Sequence, residues 1–161
     1  MKKIFATMIL LLITQSAIAA GNPEFIKFAL NSAHERGFLG CDNAISEIFK
    51  LSSGDDMRVS TKYFQELKKD SLKMTAVYGS KGDSVFIEVE LRKVGSSCYA
   101  TNTSILTGEK SCAAFAAEMP AFKYDAEAPD HIWMKNAGGS TLILRPVGNS
   151  CIAIFQNEQK F

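Results

Sequence analysis

Two stretches, SLKMTAVY and SVFIEVELR, alternate apolar and polar residues, and they flank Gly79-Ser80-Lys81-Gly82-Asp83. Leu72, Met74, Ala76 and Tyr78 fall on one side of the first stretch; Val85, Ile87, Val89 and Leu91 fall on one side of the second. Successive side chains of a strand point to opposite faces, so each stretch reads as a strand with one dry and one wet face. The glycine-rich segment between them predicts a five-residue turn that closes an antiparallel hairpin. An isolated hairpin is marginal in water, so the rest of the chain must cover the dry face.

The upstream segments supply that cover. Asn22-Pro23-Glu24 has the order of a helix start: a capping side chain, proline at the first helical position and an acid at the positive end of the helix dipole. Ile26, Ala29, Leu30 and Ala33 follow at helical spacing beside Phe25 and Phe28, and Gly37 stops the helix. Asp42 caps a second helix with Ile45, Ile48 and Phe49 on one face. Downstream, a third strand is expected over Cys98–Ile105. A short helix capped by Ser111 carries Cys112, Phe115, Ala116 and Met119, and an acidic loop covers residues 124–130. HIWMKN, TLILRPV and CIAIFQ, separated by the turns AGG and GNS, predict a C-terminal meander. The class is therefore α+β: two N-terminal helices and one short middle helix packed on antiparallel sheet, in a single domain over residues 20–161.

Residues 1–19 set the compartment. Lys2 and Lys3 precede an apolar run, Ile4–Ile13, that as a helix would span about 15 Å, roughly half a bilayer core. Ala17-Ile18-Ala19 then has the small-x-small pattern of a cleavage site. This predicts a secretory signal peptide removed after Ala19, no membrane anchor, and a periplasmic product. Without Lys2 and Lys3, the 18 basic residues become 16 against 17 acidic ones, a balance with no electrostatic case for nucleic acid or for an anionic membrane surface. Four cysteines, Cys41, Cys98, Cys112 and Cys151, in an exported chain predict two disulfides. No pair has the close spacing of a zinc site, and no metal or other cofactor is expected. Three pairings are open. The short loop between Cys98 and Cys112 favours that pair, leaving Cys41 with Cys151.

Catalytic motifs are missing. His34 and His131 are the only histidines, far apart, and the first is placed where a helix dipole favours it. No G-x-S-x-G occurs, and Gly79–Gly82 lacks the spacing of a phosphate-binding loop. Glu88 and Glu90 share a strand face about 7 Å apart, near the separation of glycosidase carboxylates, but alternating charge is also what a solvated face carries. Asn102-Thr103-Ser104 is a glycosylation triplet placed on a strand. The chain therefore reads as non-enzymatic. Its surface offers two mixed stretches: the tip around Lys81, and Glu127–Trp133 with its acids, proline, histidine and only tryptophan.

The stretches GFLGCDNAISEIF and DSLKMTAVYGSKGDSVFIEVELRKVGSSC, with the leader and paired cysteines, resemble periplasmic immunity proteins of type VI secretion systems. The resemblance implies a protein partner, a peptidoglycan-degrading toxin or effector, bound over its substrate cleft, often by a homodimer. A wall-cleaving cleft holds carboxylates, so an inhibitor needs a rigid protruding cation or hydrogen-bond donor. Lys81 is the first candidate for that group. Asp83, Glu127 and Asp130 are candidates for rim pairing, and Trp133 for an anchor. The alternatives are a periplasmic module that binds a small ligand or envelope component, an exported carboxylate-based hydrolase, and a structural or adhesive subunit.

Overall fold

The computed structural model describes residues 21–161; the expected leader, residues 1–19, lies outside the described residues. Asn22 accepts the Glu24 N–H at 3.0 Å and starts α1, Pro23–His34, which Pro23 opens as expected. The second helix, α2, spans Asp42–Phe49, with Cys41 rather than Asp42 at the capping position. Asp42 instead meets His34 Nε2 at 2.9 Å, joining the end of α1 to the start of α2.

Eight antiparallel strands follow: β1 (Asp56–Lys62), β2 (Ser71–Ser80), β3 (Asp83–Val94), β4 (Ser97–Gly108), β5 (Lys123–Ala128), β6 (His131–Lys135), β7 (Thr141–Val147) and β8 (Ser150–Lys160). Helix α3, Cys112–Ala117, lies between β4 and β5, and Ser111 accepts the Ala114 N–H at its start. The strands form one sheet in the order β1-β2-β3-β4-β8-β7-β6-β5. The chain builds one half outward-in to β4, crosses by α3 to the far edge, and meanders back so that β8 pairs with β4. Among the described residues no helix is long and apolar enough to cross a membrane.

One face of this sheet carries both cores. Ala29, Ala33, Ile45 and Phe49 of the first two helices pack on Leu72, Met74, Ile87, Val89, Leu91 and Ala100. Around α3, Phe115 and Cys112 pack on Leu142, Leu144, Ala153 and Met134. Each fully buried leucine here contributes about 2–3 kcal/mol of burial. Between the two cores the same face is polar, with Asn102 directly opposite Asn157.

Two strands depart from the sequence expectation. β1 comes from a stretch whose only marked apolar residues are Met57 and Val59, and β5 replaces the expected acidic loop. Both are edge strands: β5 is exposed along its whole length, so no burial pattern marks it. The expected five-residue turn shrinks to Lys81-Gly82, because Ser80 pairs with Asp83 and Gly79 with Ser84. Gly79 serves a close approach instead. It takes φ 130°, its carbonyl accepts the Asp55 N–H at 3.0 Å, and a Cβ there would lie 2.3 Å from the Asp83 carbonyl oxygen. Gly79→Ala is therefore expected to cost about 2–3 kcal/mol, read as a lower urea midpoint with unchanged slope.

The favoured cysteine pairing is also corrected. The bridges are Cys41–Cys98 and Cys112–Cys151, with Cα separations of 5.7 and 4.9 Å. Cys98 and Cys112 are near in sequence, but β4 runs between them and carries the chain about 33 Å across the sheet. Cys151 stands beside Gly108 in the β4–β8 register, within reach of Cys112 just past the strand end. Cys98 lies at the other end, where the turn between α1 and α2 brings Cys41.

Candidate functional site

Among the described residues no helix covers the opposite face of the sheet. Its side chains come from the wet positions of each strand, yet register aligns six apolar ones directly across from each other: Val77, Phe86, Ile105, Ile154, Ile143 and Trp133. They form a belt over six successive strands, about 24 Å long at the usual strand spacing. Val77 and Phe86 are 45% and 36% exposed, while Ile143 is covered by its neighbours. Arg58 on β1 and Ala126 on β5 end the row. The adjacent row is polar throughout: Thr75, Glu88, Thr103, Gln156, Thr141 and Lys135. An apolar strip bordered by polar side chains has the anatomy of a protein interface.

Two turns rise at one end of this face. Lys81-Gly82 joins β2 to β3, and Pro129-Asp130 joins β5 to β6, with Asp130 in the left-handed region at φ 60°. The strand order puts them at the same sheet end, about 24 Å apart. Lys81, Asp83 and Asp130 thus share a rim, and Trp133 sits half-buried in the belt below it. Glu127 does not join them. It pairs in register with Ile132, which packs into the core beneath α3, so it faces away from the belt.

Beside Lys81, between β1 and the turn, lies an open hollow of about 350 Å³ walled by Asp56, Arg58, Val77, Lys81 and Ser84. Among the described residues neither Arg58 nor Lys81 makes an ion pair. With Asp56 on the same wall, the hollow at the end of the apolar strip holds two cations and one carboxylate, a net positive rim. Sequence reasoning named Lys81 and Trp133 but not Val77, Phe86, Ile105, Ile143 or Ile154. Their only trace in the sequence is an occasional apolar residue on the wet side of a strand, and register is what aligns them.

The other candidate chemistry resolves into structure. Glu88 pairs with Lys73 at 2.6 Å and Glu90 with Arg92 at 3.4 Å, half-exposed bridges worth about 0–1 kcal/mol each. His34 and His131 lie at opposite ends of the fold, the second with Nδ1 2.8 Å from the Pro129 carbonyl oxygen. Among the described residues no group of three or more His, Cys, Asp or Glu side chains is placed to hold a metal ion. Tyr78 points into the helix-side core, where burial pushes its phenol above the ordinary range and keeps it protonated. Asn102 is locked mid-sheet between β3 and β8. Beneath the two N-terminal helices the sheet presents Leu72, Met74, Val89 and Leu91, which fill the space there, and an open cleft of about 390 Å³ lies between α1 and β1, walled by Phe28, Ser32, Glu35, Arg36 and Arg58. Comparison with protein-family models, with curated proteins and with solved structures returns no match to this chain.

Proposed function

We propose that this chain is an exported, non-enzymatic binding protein that inhibits a peptidoglycan-degrading effector of a type VI secretion system in the periplasm. The observation that carries this reading is the apolar belt on the uncovered sheet face, ending at the Arg58–Lys81 hollow. Aromatic and aliphatic side chains in the middle of an interface supply most binding energy, and bordering polar groups exclude water and set register. The two cations match the partner that the resemblance names, since the cleft of a wall-cleaving enzyme concentrates carboxylates. The Lys81-Gly82 turn is the part that protrudes, and its two-residue length keeps it stiff, which lowers the ordering cost of binding. Two disulfides hold the sheet that presents it, and they fit an oxidising compartment.

The test is inhibition. The protein is produced in the periplasm together with a wall-cleaving enzyme encoded by the adjacent gene. Lysis is expected to stop, and release of muropeptides by the purified enzyme is expected to fall to zero at a one-to-one ratio. Undiminished digestion at excess protein overturns the proposal. So does muropeptide release by the protein alone.

A further inference from the structure

The end of the sheet opposite the Lys81–Asp130 rim has a different character. Here β1 passes to β2 through residues 63–70, which hold a short 3₁₀ turn at Gln65–Leu67. Tyr63, Phe64 and Leu67 on this loop are 38%, 73% and 47% exposed. Leu39, Val94 and Tyr99, also exposed, come to the same end: Lys93 donates to the Leu39 carbonyl, and Tyr99 stands opposite Arg92. Half of the twelve exposed large apolar side chains among the described residues thus crowd one tip. The loop holds them outward. Its backbone is tied by Leu67 N–H to Phe64 O, Asp70 N–H to Leu67 O, and Lys93 N–H to Asp70 O, so the side chains cannot fold under it.

Lysines ring the tip. Lys62, Lys68, Lys69 and Lys93 make no ion pair among the described residues, while Lys73 and Arg92 are neutralised by Glu88 and Glu90. With Glu66 and Asp70, and with Lys160 and Glu158 on β8 beside Tyr99, this end has seven basic against five acidic groups. The other described residues have nine basic against twelve acidic. A chain with almost no net charge is therefore polarised, positive where it is most apolar. Beside the loop, an open cleft of about 590 Å³ runs along Tyr63, Phe64, Leu72 and Lys73.

We propose that this tip docks onto an anionic lipid surface, with Phe64 and Leu67 entering the headgroup region and the lysines meeting lipid phosphates. A tip with an exposed phenylalanine and lysines free of ion pairs suits a soft anionic surface, since each side chain can insert independently. Docked this way, the sheet holds the Lys81–Asp130 rim about 35 Å from the lipid, the length of β3, and leaves it open to a partner. This inference does not depend on what that partner is.

The probe is vesicle sedimentation, using protein recovered from a periplasmic extract, with its N-terminus read by mass spectrometry. Vesicles contain phosphatidylcholine alone or mixed with phosphatidylglycerol. At about 0.05 M salt the protein is expected to sediment with the mixed vesicles and not the neutral ones. It should be released at about 1 M salt, where the screening length is near 3 Å. Phe64→Ser is expected to weaken binding about tenfold. Lys68→Gln with Lys69→Gln should weaken it tenfold or more, whereas Lys27→Gln with Lys50→Gln, the same charge change at the far end, should leave it intact. The substituted tip residues are solvent-exposed or half-exposed, so unchanged urea midpoints are expected; Leu67→Ser and Lys62→Gln serve as the second pair if a first variant misfolds. Absence of binding at low salt, or equal binding to both vesicles, overturns the proposal. A tip variant that weakens effector binding but not vesicle binding makes the tip a protein contact and overturns it as well.

Discussion

Replacing Cys112 and Cys151 with alanine lowers stability by about 4 kcal/mol. The bridge closes a loop of 39 residues, and the chain-entropy gain of the unfolded state on releasing it has that size. The consequence is local as well as global. α3 is six residues long, too short to form a helix by itself, and the bridge pins its first turn to the start of β8. Once it is released, Phe115 can leave Phe155 and the second core opens toward solvent, while the core under α1 and α2 keeps its own bridge. Urea unfolding should show a lowered midpoint, and limited proteolysis should cut first between Gly108 and Lys123. Disulfide mapping of the wild type is expected to return Cys41–Cys98 and Cys112–Cys151. A Cys98–Cys112 peptide, or a variant as stable as the wild type, contradicts this account.

Val77→Asp with Phe86→Asp should reduce affinity for the proposed effector at least about 100-fold, near 3 kcal/mol, because two carboxylates then replace the apolar end of the belt beside the Arg58–Lys81 hollow. Both side chains lie on a face that carries neither core, so the fold should survive with near-unchanged circular dichroism, while the urea midpoint should fall, because the two carboxylates stand directly opposite each other on β2 and β3. Lys81→Ala removes one rim cation and should cost about tenfold, mainly in association rate and with a weaker dependence on salt. Titration calorimetry and stopped-flow association separate the two effects. If the double variant still binds and inhibits at wild-type affinity, the uncovered face is not the interface. If Lys81→Ala alone abolishes binding while the belt variant does not, the inserted turn carries the energy and the belt is only a solvated strip.

Much of the fold could be read from residue order because its determinants are local. Asn22-Pro23 opens a helix wherever it lies, and the alternation from Leu72 to Leu91 makes a hairpin before any third strand is known. The cysteine count and Ser111 cap were legible for the same reason. What escaped was non-local. β1 and β5 each have a neighbour on one side only, so few of their side chains are buried and the pattern that reveals a strand is weak. The disulfide pairing depended on β4 separating two cysteines that are adjacent in sequence, and on β8 returning beside it.

The sequence by itself determined the class of the fold, the number of bridges and which side of the two hairpin strands, β2 and β3, would be dry, since period and composition act over a few residues. Only the tertiary structure decided where scattered surface residues would meet. Register across six strands turned isolated wet-face apolar residues into a belt, and strand direction sent the Lys81 turn to one end and the Phe64 loop to the other. Pairing of strands distant in sequence sets both, and no local pattern encodes it.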